Sequence, residues 1–375
     1  MGLTNIRLGD YIERSTINNK DLKYGVDLIV GVNSQGVFAT PKGNTDGVDL
    51  KPYKIVENGA FVYNPTRLEL GSIAYRTEGL CIVSHLYMVF YLTDEGKKII
   101  DPMWLYIYFR RSEFCREVTF RNFGSQRPEF NFNDMSDIVI PLPDIEIQKK
   151  YVDIYNAMLE NQKSYEYRLE DLKLACDAYI EDLKHGIHCK AIGPYVERHD
   201  VRNRTNEIKN VMGVSTSKEF REPTSKVNRN ELSNYKIVRP RQISFVQTTH
   251  NEKVFAYAFN NTEDDIVVTS VNEVFSVDED KLLPEYLCMF FNRTEFDRYA
   301  RFHSWGSARE TFTWDDLVKV EIPIADMKTQ KSIADIYKAY KERKAINEKL
   351  KEQIKDICPI LIKGSIEEAR KAKEA

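Results

Sequence analysis

The sequence predicts an α+β protein built by tandem duplication, in which a mixed globular domain followed by a long helix occurs twice. Three observations predict it. The phrase GSQRPEFNFNDMSDIVIPLP, Gly124 to Pro143, returns as GSARETFTWDDLVKVEIPI from Gly306 to Ile324. Strand-like runs rich in Val, Ile, Phe and Tyr precede each copy of the phrase. A stretch with apolar residues at heptad spacing follows each copy. A repeat this long means two copies of a domain rather than a solenoid of short units.

A shift of 182 positions superposes much of the two copies without gaps. Between 124–157 and 306–339, fourteen of thirty-four positions are identical, among them Gly124, Ser125, Arg127, Asp134, Pro141 and Gln148. Upstream, PMWLYIYFRRSEFCR (102–116) lies over PEYLCMFFNRTEFDR (284–298), and YKIV occurs at 53–56 and again at 235–238. Near the start of each copy LGDYIER (8–14) answers IGPYVER (192–198), there with a shift of 184.

The elements follow in order. Each copy opens on a short polar-flanked segment and continues with strand-like runs: DLIVGV, AFVYN, SIAYR and CIVSHLYMVFYL in the first, NVMGV, QISFVQ, VFAYAF and DIVVTS in the second. A helix with proline in its first turn comes next, at Pro102 and at Pro284. The GS-x-R loop, a strand ending in IPLP or IPI, and the long helix complete the copy, the helices starting near Ile145 and Met327.

The long helices carry a coiled-coil pattern. Tyr151, Met158, Tyr165, Leu172 and Tyr179 recur every seven residues, with Ile154 at a second seam position. In the second helix Ile333, Ile336, Tyr340, Leu350, Ile354, Ile357 and Leu361 trace the stripe, interrupted by Arg343 and Asn347. Polar seam residues of this kind fix register at some cost in stability. About forty helical residues make a rod of roughly 60 Å. Pro359 is expected to kink or end the second helix.

Composition bounds the class. The apolar fraction of 42% and charged fraction of 30% are those of a globular protein, not a disordered one. No apolar run reaches the roughly 18–20 residues of a membrane span, and MGLTNIRLGD has no leader pattern, so the expected location is the cytoplasm. The six cysteines form no CxxC pair, and HGIHC (185–189) has no second ligand cluster, so neither a disulfide framework nor a metal site is expected.

Net charge is −3, but the charge is segregated. Residues 198–241 hold eleven Lys/Arg against five acids, and residues 141–182 hold five against ten. A basic segment beside an acidic helix suits one face for phosphate and another for protein. Catalytic motifs are missing: there is no GxxxxGK[ST], no Asp/Asn-Pro-Pro-aromatic tetrapeptide, and no histidine that its counterpart in the other copy matches. PDIEIQKK (143–150) has a nuclease-like look, yet its copy ADMKTQKS keeps only Asp326 and has Lys328 where Glu146 stands. The chain is expected to bind rather than catalyse.

Two variable halves, each closed by GS-x-R, an IP strand, a Gln and a long helix, resemble the DNA specificity (S) subunit of type I restriction–modification enzymes. The resemblance spans the chain. It implies target recognition domains at 1–143 and 190–325 and conserved helical regions at 144–189 and 326–375, with the helices pairing as an antiparallel coiled coil. It further implies that each domain reads one half of a split asymmetric DNA site, while the helices set the spacer and dock two modification subunits. S-adenosylmethionine, Mg and ATP would belong to partner subunits, including a restriction motor where one joins, and the chain itself would need no cofactor. A specificity subunit of a related type II methyltransferase–nuclease system, or a scaffold for two proteins without DNA binding, are the alternatives.

Candidate contact residues follow from this. Ser125, Arg127, Ser307 and Arg309 persist through the duplication and suit phosphate contact, which positions a protein without reading sequence; a structural turn with the Arg paired to Asp134 or Asp316 is the other possibility. Base reading calls for polar side chains on loops that differ between copies. Asn33, Ser34 and Gln35 face Ser215, Thr216, Ser217 and Lys218 in the alignment, and Asn64 and Arg67 of NPTR face Thr248, Thr249 and His250 of QTTH.

Overall fold

The computed structural model describes residues 2–41, 43, 45, 47–122, 129–248, 254–304 and 310–374. It divides into two compact units, Met1–Ser164 with Asn347–Ala375, and Tyr165–Ile346. Compactness thus cuts the chain differently from sequence order, because each unit takes part of both long helices.

In the first unit, alternating apolar residues build a four-stranded antiparallel sheet in the order Ile12–Arg14, Met88–Leu92, Phe61–Tyr63, Ile73–Tyr75. One face carries Phe61, Tyr63 and Phe90 into a core with Trp104, Leu105 and Phe109 of the helix Pro102–Phe109. The other face carries Val62 and Val89 into a smaller cluster with Val32, Val56 and Val83. That helix begins as its sequence dictates, with Asp101 accepting from the Met103 and Trp104 amides and Pro102 at its first position.

The second unit repeats the plan. Its sheet runs Val196–His199, Asn272–Val277, Ile243–Val246, Tyr257–Phe259, and its core gathers Phe245, Phe255, Phe275, Tyr286 and Phe291. The short helices Phe132–Ser136 and Trp314–Leu317 both start in a capping box, with Asp134 and Asp316 returning a carboxylate oxygen to the amides of Asn131 and Thr313. This gives the conserved aspartate a structural task. Each unit also adds a two-stranded antiparallel pair, Thr4–Arg7 with Val139–Leu142 and Cys189–Ala191 with Glu321–Pro323.

The long helices are Ile145–Gly186 and Met327–Glu374. A repeated lock fixes where each begins. Gln148 is fully buried; its Oε1 accepts from the Asp101 amide at 2.8 Å and its Nε2 donates to the carbonyls of Ile99 and Pro143. Gln330, also fully buried, accepts from the Leu283 amide and donates to Lys281 and Ala325. Ala325 replaces Pro143 without loss because only the carbonyl is used.

Within each unit the helices run antiparallel. In the first, Lys150 meets Glu368 and Gln162 donates to Asn347 at 2.9 Å. In the second, the Arg343 guanidinium lies over Tyr165, and Tyr179 lines a groove with Ile333 and Ile336. The buried stripe sits one residue from the pattern predicted for the first helix: Val152, Tyr155, Gln162, Cys176 and Ile180 are buried. Tyr151, Met158 and Leu172 flank it half-buried, and Ile154, at 44% exposure, points away. The two registers share the same period, and a buried Gln in the seam hid the right one. In the second helix Ile333 and Ile354 are buried and Ile336, Tyr340, Leu350 and Ile357 are half-buried. Pro359 lies inside a continuous helix instead of ending it. Cys358, Leu361 and Ile362 around it are buried in the first unit's core, and this packing offsets the missing amide. Gly364 lets the Tyr151 ring lie against the helix, since a Cβ there would sit 2.8 Å from the ring.

Candidate nucleic-acid interface

Base reading needs exposed polar groups on loops held by rigid stems. The stems are equivalent in the two units. Phe130 donates its amide to the Pro65 carbonyl at 3.0 Å, and Phe312 donates to Gln247 at 2.8 Å. Thr248 continues this as a bridge to Thr311. The NPTR and QTTH loops are therefore tied at their roots to the chain leaving the GS-x-R loops. Ser125, Arg127, Ser307, Arg309, Thr249 and His250 lie outside the described residues.

The remaining candidates separate by what already holds them. Asn33 and Asn64 are turn formers: Asn33 Oδ1 accepts from the amides of Gln35 and Val37, and Asn64 Oδ1 from the amide and hydroxyl of Thr66. Ser215 is buried, with its hydroxyl donated to the Glu219 carbonyl. Ser34, Gln35, Arg67 and Ser217 are exposed, and Thr216 and Thr248 are half-buried. Among the described residues Arg67 has no ion-pair partner.

Lys218 is turned inward. It takes a left-handed φ of 64°, and its ammonium donates to the Phe291 carbonyl at 2.7 Å and pairs with Asp297 at 2.8 Å. Burial lowers its pKa, with Asp297 opposing. The aligned Gly36 shares the left-handed turn, at φ 76°, and there Arg110 fills the space from the other side, 2.5 Å from where a Cβ would be. The ammonium of this loop residue is thus held within the unit by Phe291 and Asp297.

The basic segment 198–241 shows the same division on a larger scale. Arg198 and Lys236 pair with Glu273, Arg202 with Asp200, and Arg241 with Glu279 and Glu285. Arg204, Arg221, Lys226 and Arg239 are exposed and, among the described residues, have no ion pair. A charge count could not have distinguished these two sets, since Glu273, Glu279 and Glu285 lie outside the segment and meet its cations only after folding. Among the described residues no His/Cys/Asp/Glu group could hold a metal, no helix is long and apolar enough to cross a membrane, and all six cysteines are unpaired.

Two loop-bearing units on one repeated scaffold, each closed by helices, describe a two-domain recognition protein. Residues 4–170 and 194–356 each match the Type I restriction modification DNA specificity domain. The chain therefore belongs to the type I restriction–modification DNA specificity family, as a specificity subunit with two such domains in tandem. Among solved structures, the type I restriction-modification S subunit from M. genitalium aligns over 97% of this chain and 96% of its own, with TM-score 0.60 and 11% identity, which supports the shared fold. The HsdS subunit from Thermoanaerobacter tengcongensis aligns over 97% and 96% with TM-score 0.40 and 15% identity. Among curated proteins none matches the chain.

Proposed function

We propose that the globular parts, 1–143 and 190–325, each read one half of a bipartite asymmetric DNA site, and that the helical regions 144–189 and 326–375 set the spacer and dock two modification subunits. Methyl transfer then belongs to those partners, which bring S-adenosylmethionine, and any restriction motor brings Mg and ATP. The chain itself supplies recognition without catalysis.

One observation carries this reading: equivalent loop stems support loops of different sequence. A stem preserved with a divergent loop is what two readers of unlike half-sites require, because phosphate positioning is shared and base contact is not. Ser34, Gln35 and Arg67 in the first unit, and Thr216, Ser217 and Thr248 in the second, are the described side chains best placed to read bases. Phosphate contact falls to the GS-x-R residues and to the exposed Arg204, Arg221, Lys226 and Arg239.

Footprinting of the chain with its modification subunits on duplex DNA tests the proposal. Two protected patches separated by unprotected bases are expected. One continuous patch, or protection of a single half-site, would contradict it. Methylation or cleavage by the chain alone would remove the division of labour.

A further inference from the structure

The two units place the same two cations at one position and differ in what answers them. Arg14 lies opposite Phe90 in the sheet as Arg198 lies opposite Phe275. On the next strand Tyr63 faces Met88 as Phe245 faces Glu273. Lys54 and Lys236 share a register as well, opposite Val83 and Val268, and both are buried, at 8% and 4% exposure.

In the second unit the cations are neutralised from within. Glu273, 3% exposed, accepts from Arg198 at 2.7 and 2.8 Å, accepts from Gln247, and pairs with Lys236 at 3.6 Å. Asp200 adds a second carboxylate 3.4 Å from the Lys236 ammonium.

In the first unit Met88 stands where Glu273 does, and Thr16 where Asp200 does. Among the described residues neither Arg14 nor Lys54 has a carboxylate partner. The Lys54 ammonium donates to the Tyr87 carbonyl at 2.5 Å, and its pKa is lowered by burial and then by the charge of Arg14. Beside them Tyr63 carries a hydroxyl where the second unit has the bare ring of Phe245. That residue is fully buried, and its hydroxyl is the buried side-chain polar atom without a hydrogen-bond partner among the described residues. A buried donor left unmade costs about 1–3 kcal/mol, so it needs an explanation. Burial raises the pKa of this phenol, the charge of Asp134 adds to that and the charge of Arg14 opposes it; Asp134 is itself held in its capping box by the Asn131 amide. Arg14 is exposed and Met88 half-buried, so the position opens to solvent.

We propose that Arg14, Lys54 and Tyr63 form a binding site for an oxyanion of the phosphate class, which brings from outside the charge that Glu273 provides within the second unit. Arg14 and Tyr63 lie on one face of the sheet, the charge of Arg14 reaches the Lys54 ammonium, and neither cation has a carboxylate partner among the described residues, so the set selects for an anion. The donor is either a DNA backbone phosphate or a free phosphate. The backbone is favoured because the bond from Gln247 to Glu273 puts the equivalent position beside the loop that, in the first unit, is NPTR; this part rests on the function proposed above.

Thermal unfolding of the full chain in inorganic phosphate against chloride, at matched ionic strength, tests the site. Wild type should melt higher in phosphate. Met88→Glu, which installs the carboxylate of the second unit, should melt higher in chloride and lose the phosphate response. Tyr63→Phe conserves the ring and should weaken the response, which keeps the test decisive if the glutamate variant does not fold. An equal phosphate response in wild type and both variants overturns the proposal, as does none in wild type. In the complex with modification subunits, Met88→Glu should weaken duplex binding about tenfold and flatten its salt dependence by about one released counterion. A phosphate response with unchanged duplex binding assigns the site to a free anion. Absence of duplex binding by the wild-type complex, with the phosphate response intact, would refute the DNA-reading function and leave the anion site standing.

Discussion

The two units agree at Gln148 and Gln330 and disagree at Met88 and Glu273. The glutamines make the same three hydrogen bonds to equivalent backbone groups, at the junction where strand, helix and domain meet. The Met88 and Glu273 positions handle the same cations in different ways. Buried backbone groups can be satisfied by few side chains, so that device survives duplication. A cation near the surface can be answered by a side chain, by solvent or by a ligand, so that device is free to diverge.

The largest expected effect tests the agreement. Gln148→Ala and Gln330→Ala each leave one buried amide and two carbonyls without the partner they have. Each should cost about 3 kcal/mol or more in denaturant unfolding, by an equal amount in its own unit. A large cost in one unit and a negligible one in the other would mean that the lock is equivalent in geometry only.

Next in size is the contrast between Gly36 and Lys218. Lys218→Ala leaves Asp297 unpaired and puts a Cβ residue with no ion pair in a left-handed turn. A loss of about 2–3 kcal/mol in the second unit is expected, with the recognised sequence unchanged. Arg67→Ala should do the reverse: stability within about 0.5 kcal/mol of wild type, as for an exposed side chain, and duplex affinity reduced severalfold. If Lys218→Ala alters the sequence methylated by the complex, the inward placement of that side chain does not describe its role.

The duplication, the strand and helix order and the start of both long helices were legible in the sequence, because hydrophobic period, proline position and internal identity are local signals. The seam of the first helix was legible in period but not in phase. Gln162 and Asn347 occupy the seam as a buried polar pair, so an apolar count favours the neighbouring stripe through Ile154. Pro359 does not end the helix, because the local rule against proline yields to the core around Cys358 and Leu361. The site was least legible. Arg14, Lys54 and Tyr63 lie 40 and 9 positions apart and acquire meaning only from strand pairing. Lys218 and Arg67 are alike in the sequence as loop cations, and only the fold shows the first buried and the second exposed.

The smallest expected effect concerns Arg111 and Arg293, one arginine preserved by the duplication and used in two ways. Arg111 donates to the Tyr108 carbonyl and lies 3.7 Å from the centre of that ring. Arg293 instead bonds Asp177 at 2.9 Å and Glu181 at 2.6 Å on the first long helix. The hydrogen bond from Arg293 lowers the Glu181 pKa, with Lys184 adding to it. A carboxyl with a lowered folded pKa stabilises above its unfolded value, about 4.3, and that stabilisation is lost as pH falls through the folded one. Because Glu181 is substantially exposed, the contribution is under about 1 kcal/mol after screening. Hydrogen exchange of the 170–182 amides should therefore accelerate between about pH 5 and 3 relative to the 150–162 amides, after correction for intrinsic rates. Arg293→Met should abolish that difference and Arg111→Met should leave it. A difference that survives Arg293→Met would place the acid sensitivity elsewhere and leave the two arginines alike in consequence, though not in contact.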